Sequence, residues 1–98
     1  MFELHQLRCF VAVASEMNFH RAAERLNMTQ PPVSRQVQVL ERQLGVQLFD
    51  RTRRSIRLTA AGERFYFEAR DLLRRAEDAK VIARSVASGH LGNVSIAF

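Results

Sequence analysis

Two adjacent prolines, Pro31 and Pro32, stand at the head of a helical apolar repeat formed by Val33, Val37, Leu40 and Leu44. Proline fits an α-helix only in its first turn, where backbone N–H groups have no intrahelical partner anyway. The pair therefore fixes where this helix begins, near Gln30, and demands a break just before it. Asn27-Met28-Thr29 supplies the break. With Thr29 as N-cap, the N–H groups its hydroxyl would ordinarily engage belong to the two prolines and do not exist, so the hydroxyl is left for other work. Gly45 follows Leu44 as a stop signal. On the other side of the break, Phe19, Ala22, Ala23 and Leu26 form the apolar stripe of a short helix, about Phe19 to Leu26. Its two alanines allow a neighbouring backbone to come close. The stretch is two short helices joined by a tight turn.

The same periodicity predicts a first helix from Leu4 to Met17, with Leu4, Leu7, Phe10, Val11, Ala14 and Met17 on its buried side. Asn18 is the expected N-cap of the next helix. After Gly45, Val46 to Phe49 and Ile56 to Leu58 read as two short strands around a polar connection, Asp50 to Ser55. A two-stranded ribbon is stable only when packed on something, and Leu48, Phe49, Ile56 and Leu58 are available for that. Thr59 is the expected N-cap of a long helix, about Ala60 to Ser88. Within it Phe65, Ala69, Leu72, Ala76, Ala79, Ala83 and Val86 step by four and three, the a and d positions of three heptads. Tyr66, Leu73 and Ile82 form a second stripe beside them. The seam asks for a partner, a second copy of the chain; the bland alternative is a helix folded back on its own core, but the first three helices already have enough partners. Gly89 to Asn93 has the composition of a hinge, and Val94 to Phe98 alternates like a first strand of something further.

Three segments result: 1–58, a compact helical domain with a hairpin; 59–88, a linker and dimerisation helix; and 89–98, a hinge with the opening strand of a missing domain. The fold class is mainly α, a winged helix-turn-helix of three helices and a two-stranded wing followed by a long helix. Such folds lay one helix in a groove of DNA. The charge agrees: the formal net charge is +5, and all fifteen basic residues are arginine except Lys80. Arginine forks suit phosphates and guanine edges, though arginine at solvated helix positions also reflects coding bias. Cys9 is the only cysteine, which fits a reducing, cytoplasmic setting. No leader-like segment is apparent, and no apolar run approaches the ~20 residues of a membrane helix, so no membrane partner is expected.

The start of a recognition helix meets base edges in the major groove. That selects Gln30, Pro31, Pro32, Ser34 and Arg35, with Gln38 a turn further along. Gln30 has the amide geometry for adenine, the prolines offer apolar faces to thymine methyl groups, and Arg35 reaches guanine or phosphate. Thr29 and Arg21 flank the groove, where phosphate contacts set register. Arg51, Arg53 and Arg54 concentrate positive charge at the hairpin, the place from which a wing lies along the backbone or enters a narrow minor groove. For Arg51, beside Phe49-Asp50, an internal ion pair is an equal alternative.

The order Ala22-Ala23, Leu26, Thr29-Gln30-Pro31-Pro32-Val33-Ser34-Arg35-Gln36, Leu40-Glu41, Leu44-Gly45, Leu48-Phe49-Asp50-Arg51 and Leu58-Thr59-x-x-Gly62 resembles the amino-terminal domain of LysR-type transcriptional regulators. The resemblance runs through essentially all 98 residues. Ala60-Ala61 stands where the family often has an acidic residue or proline, and the wing lacks a common glycine; both departures concern the wing and its exit, not the recognition helix. The resemblance implies a bacterial transcription factor whose members form dimers, or dimers of dimers, through the linker helix. It implies binding to an interrupted inverted repeat in double-stranded promoter DNA. It also implies a carboxy-terminal domain that takes a small-molecule effector, with no cofactor in this stretch.

An enzyme is not expected. His5 and Cys9 are four apart on one helix, a spacing metal ligands can use, but nothing supplies further ligands, and no metal is expected. There is no phosphate-cradling glycine loop, no paired carboxylates and no nucleophile with an oriented base. The alternative of another class is a helical dimerisation or interaction module with only non-specific basic affinity for DNA. The regulator reading needs Gln30, Ser34 and Arg35 exposed on the same side as Arg53 and Arg54; the interaction module needs nothing of the wing.

Overall fold

The computed structural model describes residues 1–52 and 54–89. Arg53 and the segment 90–98, to which the sequence assigns a wing arginine and a further strand, lie outside the described residues. The element order is α1 (Leu4–Glu16), α2 (Phe19–Arg25), α3 (Gln30–Leu44), β1 (Phe49–Asp50), β2 (Arg57–Leu58) and α4 (Ala60–Ala87).

Helix boundaries follow the local chemistry. The Asn18 side chain accepts the Arg21 N–H at 2.8 Å and starts α2. Thr29 caps α3 with extended backbone but makes no side-chain capping bond, as the two prolines behind it require. Between these helices Asn27 takes a left-handed conformation, φ 57°, which short amide side chains tolerate, and Met28 N–H closes the turn onto the Ala23 carbonyl at 2.9 Å. Gly45 ends α3 at φ 75°. Thr59 starts α4 with one hydroxyl used twice: it accepts from Gly62 N–H at 3.0 Å and donates to the Gln47 carbonyl at 2.7 Å.

The core is centred on Phe10, whose ring meets Phe49 and Phe65 at 5.5 Å each and Tyr66 at 6.4 Å. Leu7, Val13, Ala22, Val33, Val37, Leu40 and Leu48 close around it. The buried side of α1 differs from the expected one. Leu7, Phe10 and Ala14 are inside, together with Gln6, Cys9, Ala12 and Val13, whereas Leu4 and Met17 are exposed and Val11 is half-buried. α1 packs against α2, α3 and α4 together, so its covered arc is wider than a single stripe. Met17 turns out of the helix altogether, at φ 52°.

β1 and β2 pair antiparallel, Phe49 with Leu58 and Asp50 with Arg57. They are shorter than the predicted strands, 46–49 and 56–58. Val46 N–H bonds back to the Glu41 carbonyl at 3.2 Å, which keeps it in the turn leaving α3. The N–H groups of Leu48 and Phe49 go to the Glu41 carboxylate at 2.8 and 3.1 Å, so a side chain of α3 takes the place of a longer ladder. Leu48 and Phe49 are buried, with Ile56 and Leu58 packed against them as expected.

Gly62 explains the spacing Leu58-Thr59-x-x-Gly62. A Cβ at this position would run into the Leu48 carbonyl, so α4 can lie this close to the wing root only with glycine there. The first half of α4 belongs to the domain: Ala69 is buried, and Phe65, Tyr66 and Leu73 pack on the core. Two of the seven seam residues, Phe65 and Ala69, thus face their own chain, against the expectation that the whole seam awaits a partner. The reason is α1 and the residues leading into it, which pack on this half of the helix and place Phe10 and Phe2 against Phe65, with centroids 5.5 and 5.9 Å apart. Beyond Leu73 no residue of α4 is buried.

Candidate nucleic-acid interface

The exposed face around the start of α3 contains most of the residues selected from the sequence. Thr29, Gln30, Pro31 and Arg35 are exposed, while Pro32 and Ser34 are half-buried. An open groove of about 380 Å³ runs beside them, lined by Asn18, Phe19, His20, Gln30, Arg54 and Ile56. It brings the first residue of the recognition helix and a wing arginine, twenty-four positions apart, to one surface. Arg54 is exposed there. Arg21 is exposed on α2, one residue beyond the groove-lining His20. Asn18 and His20 are groove residues that the sequence reading left out. The tight turn brings the end of α2, not its start, to the start of α3, so nothing local in the sequence marked these two residues. His20 lies 3.6 Å from Glu24 on the same helix.

Gln38 is exposed, one turn beyond Ser34 and Arg35 on α3. It lines a recess at the other end of α3 with Glu41, Arg42, Gly45, Val46, Gln47 and Arg51. This separates it from the groove that Gln30 shares with Arg54.

Arg51 is exposed but tied back to the domain rather than left free at the hairpin. Its guanidinium sits 3.1 Å from the Glu41 carboxylate, donates to the Gln47 side-chain oxygen at 3.3 Å, and lies over the rings of Phe19 and Phe49 at 5.9 and 5.8 Å. The internal ion pair, one of the two possibilities in the sequence, is the one formed, with a partner ten residues back on α3. Glu41 itself was missed as a functional candidate. The signal was present: an acid four residues after Val37 and three before Leu44 falls on the apolar side of the helix, where a carboxylate must find donors. Glu41 is 4% exposed and has them.

His5 is exposed while Cys9 is buried, and burial pushes the Cys9 thiol pKa up. Among the described residues, no three His, Cys, Asp or Glu side chains gather as a metal site, and no helix is long and apolar enough to cross a membrane.

Three helices on one core, the second pair joined by a tight turn, with a two-stranded wing and a long trailing helix, make a winged helix-turn-helix. The family described as bacterial regulatory helix-turn-helix protein, lysR family, matches residues 4–63, and the chain belongs to it. It is 49% identical over 96 residues to the uncharacterized HTH-type transcriptional regulator YnfL of Escherichia coli (strain K12), covering 98% of this chain and 32% of that protein. It is 48% identical over 96 residues to the HTH-type transcriptional regulator ClcR of Pseudomonas putida, covering 98% and 33%. The chain spans about a third of the length of these relatives. Among solved structures it superposes on the BenM DBD in its catB site 1 DNA complex with a TM-score of 0.86 at 44% identity, covering 91% of this chain and 96% of that one. The CbnR DBD in its DNA complex gives a TM-score of 0.82 at 45% identity, covering 88% and 99%. These relatives are transcriptional regulators, not enzymes.

Proposed function

We propose that this chain binds double-stranded promoter DNA sequence-specifically, as the DNA-binding part of a regulator working in the cytoplasm. The start of α3 enters the major groove and the wing follows the backbone or the adjacent minor groove. Gln30, Ser34 and Arg35 read base edges, with Pro31 and Pro32 against thymine methyl groups. Thr29, Arg21, Arg53 and Arg54 hold phosphates. Gln38, on the far recess, has a peripheral role, and Arg51 is left out of the direct contacts. The observation that carries this reading is the groove shared by Gln30 and Arg54, which aligns the helix start and the wing as one surface. The similarity to the DNA-bound BenM and CbnR domains supports it.

Pairing of two copies through the exposed seam of α4, from Leu72 onward, completes the proposal. Leu72 and Val86 are each 43% exposed, and Ala79, Ile82 and Ala83 make an apolar strip flanked by Arg75 and Asp78. A second copy would cover these residues, and two domains would then engage two half-sites together. An effector would act through a carboxy-terminal domain, as the length of the relatives suggests.

The test is binding to the gene's own upstream duplex and to a scrambled duplex over a salt series. Phosphate contacts alone give steep salt dependence and little preference. A preference for the upstream duplex that survives moderate salt and collapses with Gln30→Ala plus Arg35→Ala is the expected result. Equal, salt-labile binding to both duplexes would instead favour an interaction module built on α4.

A further inference from the structure

We propose that Glu41 and Arg51 are positioning residues that set the angle of the wing against the recognition helix; this rests on the DNA-face reading above. Glu41 stands in the last turn of α3, at the opposite end from the base-reading residues. Its carboxylate accepts from Leu48 N–H at 2.8 Å, from Phe49 N–H at 3.1 Å and from the Arg51 guanidinium at 3.1 and 3.2 Å on its two oxygens. Arg51, with its side chain 33% exposed, carries the connection on to the rings of Phe19, at the start of α2, and Phe49, in β1. One ion pair therefore ties together the end of α3, the start of α2 and the root of the wing.

The wing needs this support. Its two strands are two residues each, too short a ribbon to orient itself. The reach of Arg54 towards DNA depends on where the root is fixed, and the root is fixed by Glu41. A carboxylate beside a basic DNA face is electrostatically adverse, since it opposes the potential that attracts phosphates. Its worth in binding is geometric.

That conflict of signs provides the test. Glu41→Gln removes a negative charge and raises the formal net charge of +5 by one, so electrostatics alone predicts tighter binding. Glutamine with its carbonyl oxygen in the Oε2 place keeps the Leu48 and Phe49 N–H bonds, but it removes the negative charge and turns an NH2 towards Arg51 in the Oε1 place, which weakens the hold on the guanidinium. Positioning predicts the opposite: affinity for the upstream duplex falls several-fold, and the salt slope becomes shallower by about 0.9 for each phosphate the wing no longer reaches. Arg54→Gln, which costs several-fold in the wild-type chain, then costs nothing further in the Glu41→Gln background. Should Glu41→Gln fail to fold by circular dichroism, Arg51→Gln serves in its place, and the same disappearance of the Arg54 effect is expected.

Unchanged or tighter binding by a folded Glu41→Gln chain, or an undiminished cost of Arg54→Gln in the variant background, would overturn the proposal while leaving the DNA face intact. If Gln30→Ala and Arg54→Gln have no effect even in the wild-type chain, the DNA-face reading fails and this proposal falls with it.

Discussion

The two halves of α4 share one heptad pattern and have different surroundings. From Gly62 to Leu73 the helix is part of the winged domain: Gly62 sits against the Leu48 backbone, Ala69 is buried, and Phe65 is enclosed by Phe2 and Phe10. From Ala76 to Val86 the pattern continues with no helix residue buried by the described residues, although Ile82 and Val86 are as apolar as the residues before them. A repeat of apolar positions states that a face will be covered; it does not state by which molecule. The inner half turns its apolar side to folding, and the outer half leaves its own uncovered, as the proposed pairing of two copies requires.

Introducing one charge into each half is the strongest way to break that distinction. Ala69→Glu would put a carboxylate without donors into the core, at a cost of about 4 kcal/mol or more. That approaches the entire stability of a small domain, so the variant should show no cooperative thermal transition. Ala83→Glu should melt within about 0.5 kcal/mol of wild type under monomeric conditions and lose self-association in sedimentation. If Ala69→Glu melts normally, the inner half is not core; if Ala83→Glu unfolds the domain, the outer half is not free.

Gly62 sharpens the inner side of the comparison. In an open helix Gly→Ala gains up to about 1 kcal/mol from propensity. Here the added Cβ meets backbone that cannot yield like a side chain, and a net loss of about 1–3 kcal/mol is expected. A thermal melt giving a gain would mean that α4 is not pressed against Leu48.

The parts of this contrast that were readable in the sequence are the local ones. Pro31-Pro32, Gly45, Asn18 and Thr59 act on their own neighbouring N–H groups, so their positions alone place the helix ends, and the structure follows them to within a residue or two. What was not readable depends on contacts across the chain. The side of α1 that would be covered, the inclusion of Phe65 and Ala69 in the inner core, and the shortening of β1 are all decided by a neighbouring element. The Glu41 carboxylate takes N–H groups seven and eight residues away, and no periodicity of strand residues reveals that competition. At the candidate DNA face, the sequence required Gln30 and Arg54 on one side without saying what would bring them there; in the fold they line one groove.

On the exposed seam where the two halves meet, Leu72→Glu is a milder counterpart of the first pair. Leu72 is 43% exposed in the single chain, so its replacement should leave the monomer's melting nearly unchanged. In a pair of α4 helices it would set a charge in an apolar contact, raising the dimer dissociation constant at least tenfold, about 1.4 kcal/mol. Weaker promoter binding should accompany it, because two half-sites would no longer be held together. Sedimentation of the variant as an intact dimer at low micromolar concentration would remove Leu72 from the interface.

The same division between groups satisfied within the chain and groups left over can be read at two N-caps. Asn18 uses its side chain on Arg21 N–H, and Asn18→Ala should cost about 1 kcal/mol in a thermal melt. Thr29 occupies the equivalent place on α3 and makes no capping bond, because the donors it would engage were given up to proline. Thr29→Ala should therefore change stability by no more than a few tenths of a kcal/mol, yet weaken binding to the upstream duplex by removing one hydroxyl–phosphate hydrogen bond. The two caps would then respond oppositely, one in stability and the other in binding. A Thr29→Ala chain as destabilised as Asn18→Ala would show instead that the hydroxyl holds its own helix, and Thr29 would have to be struck from the DNA face.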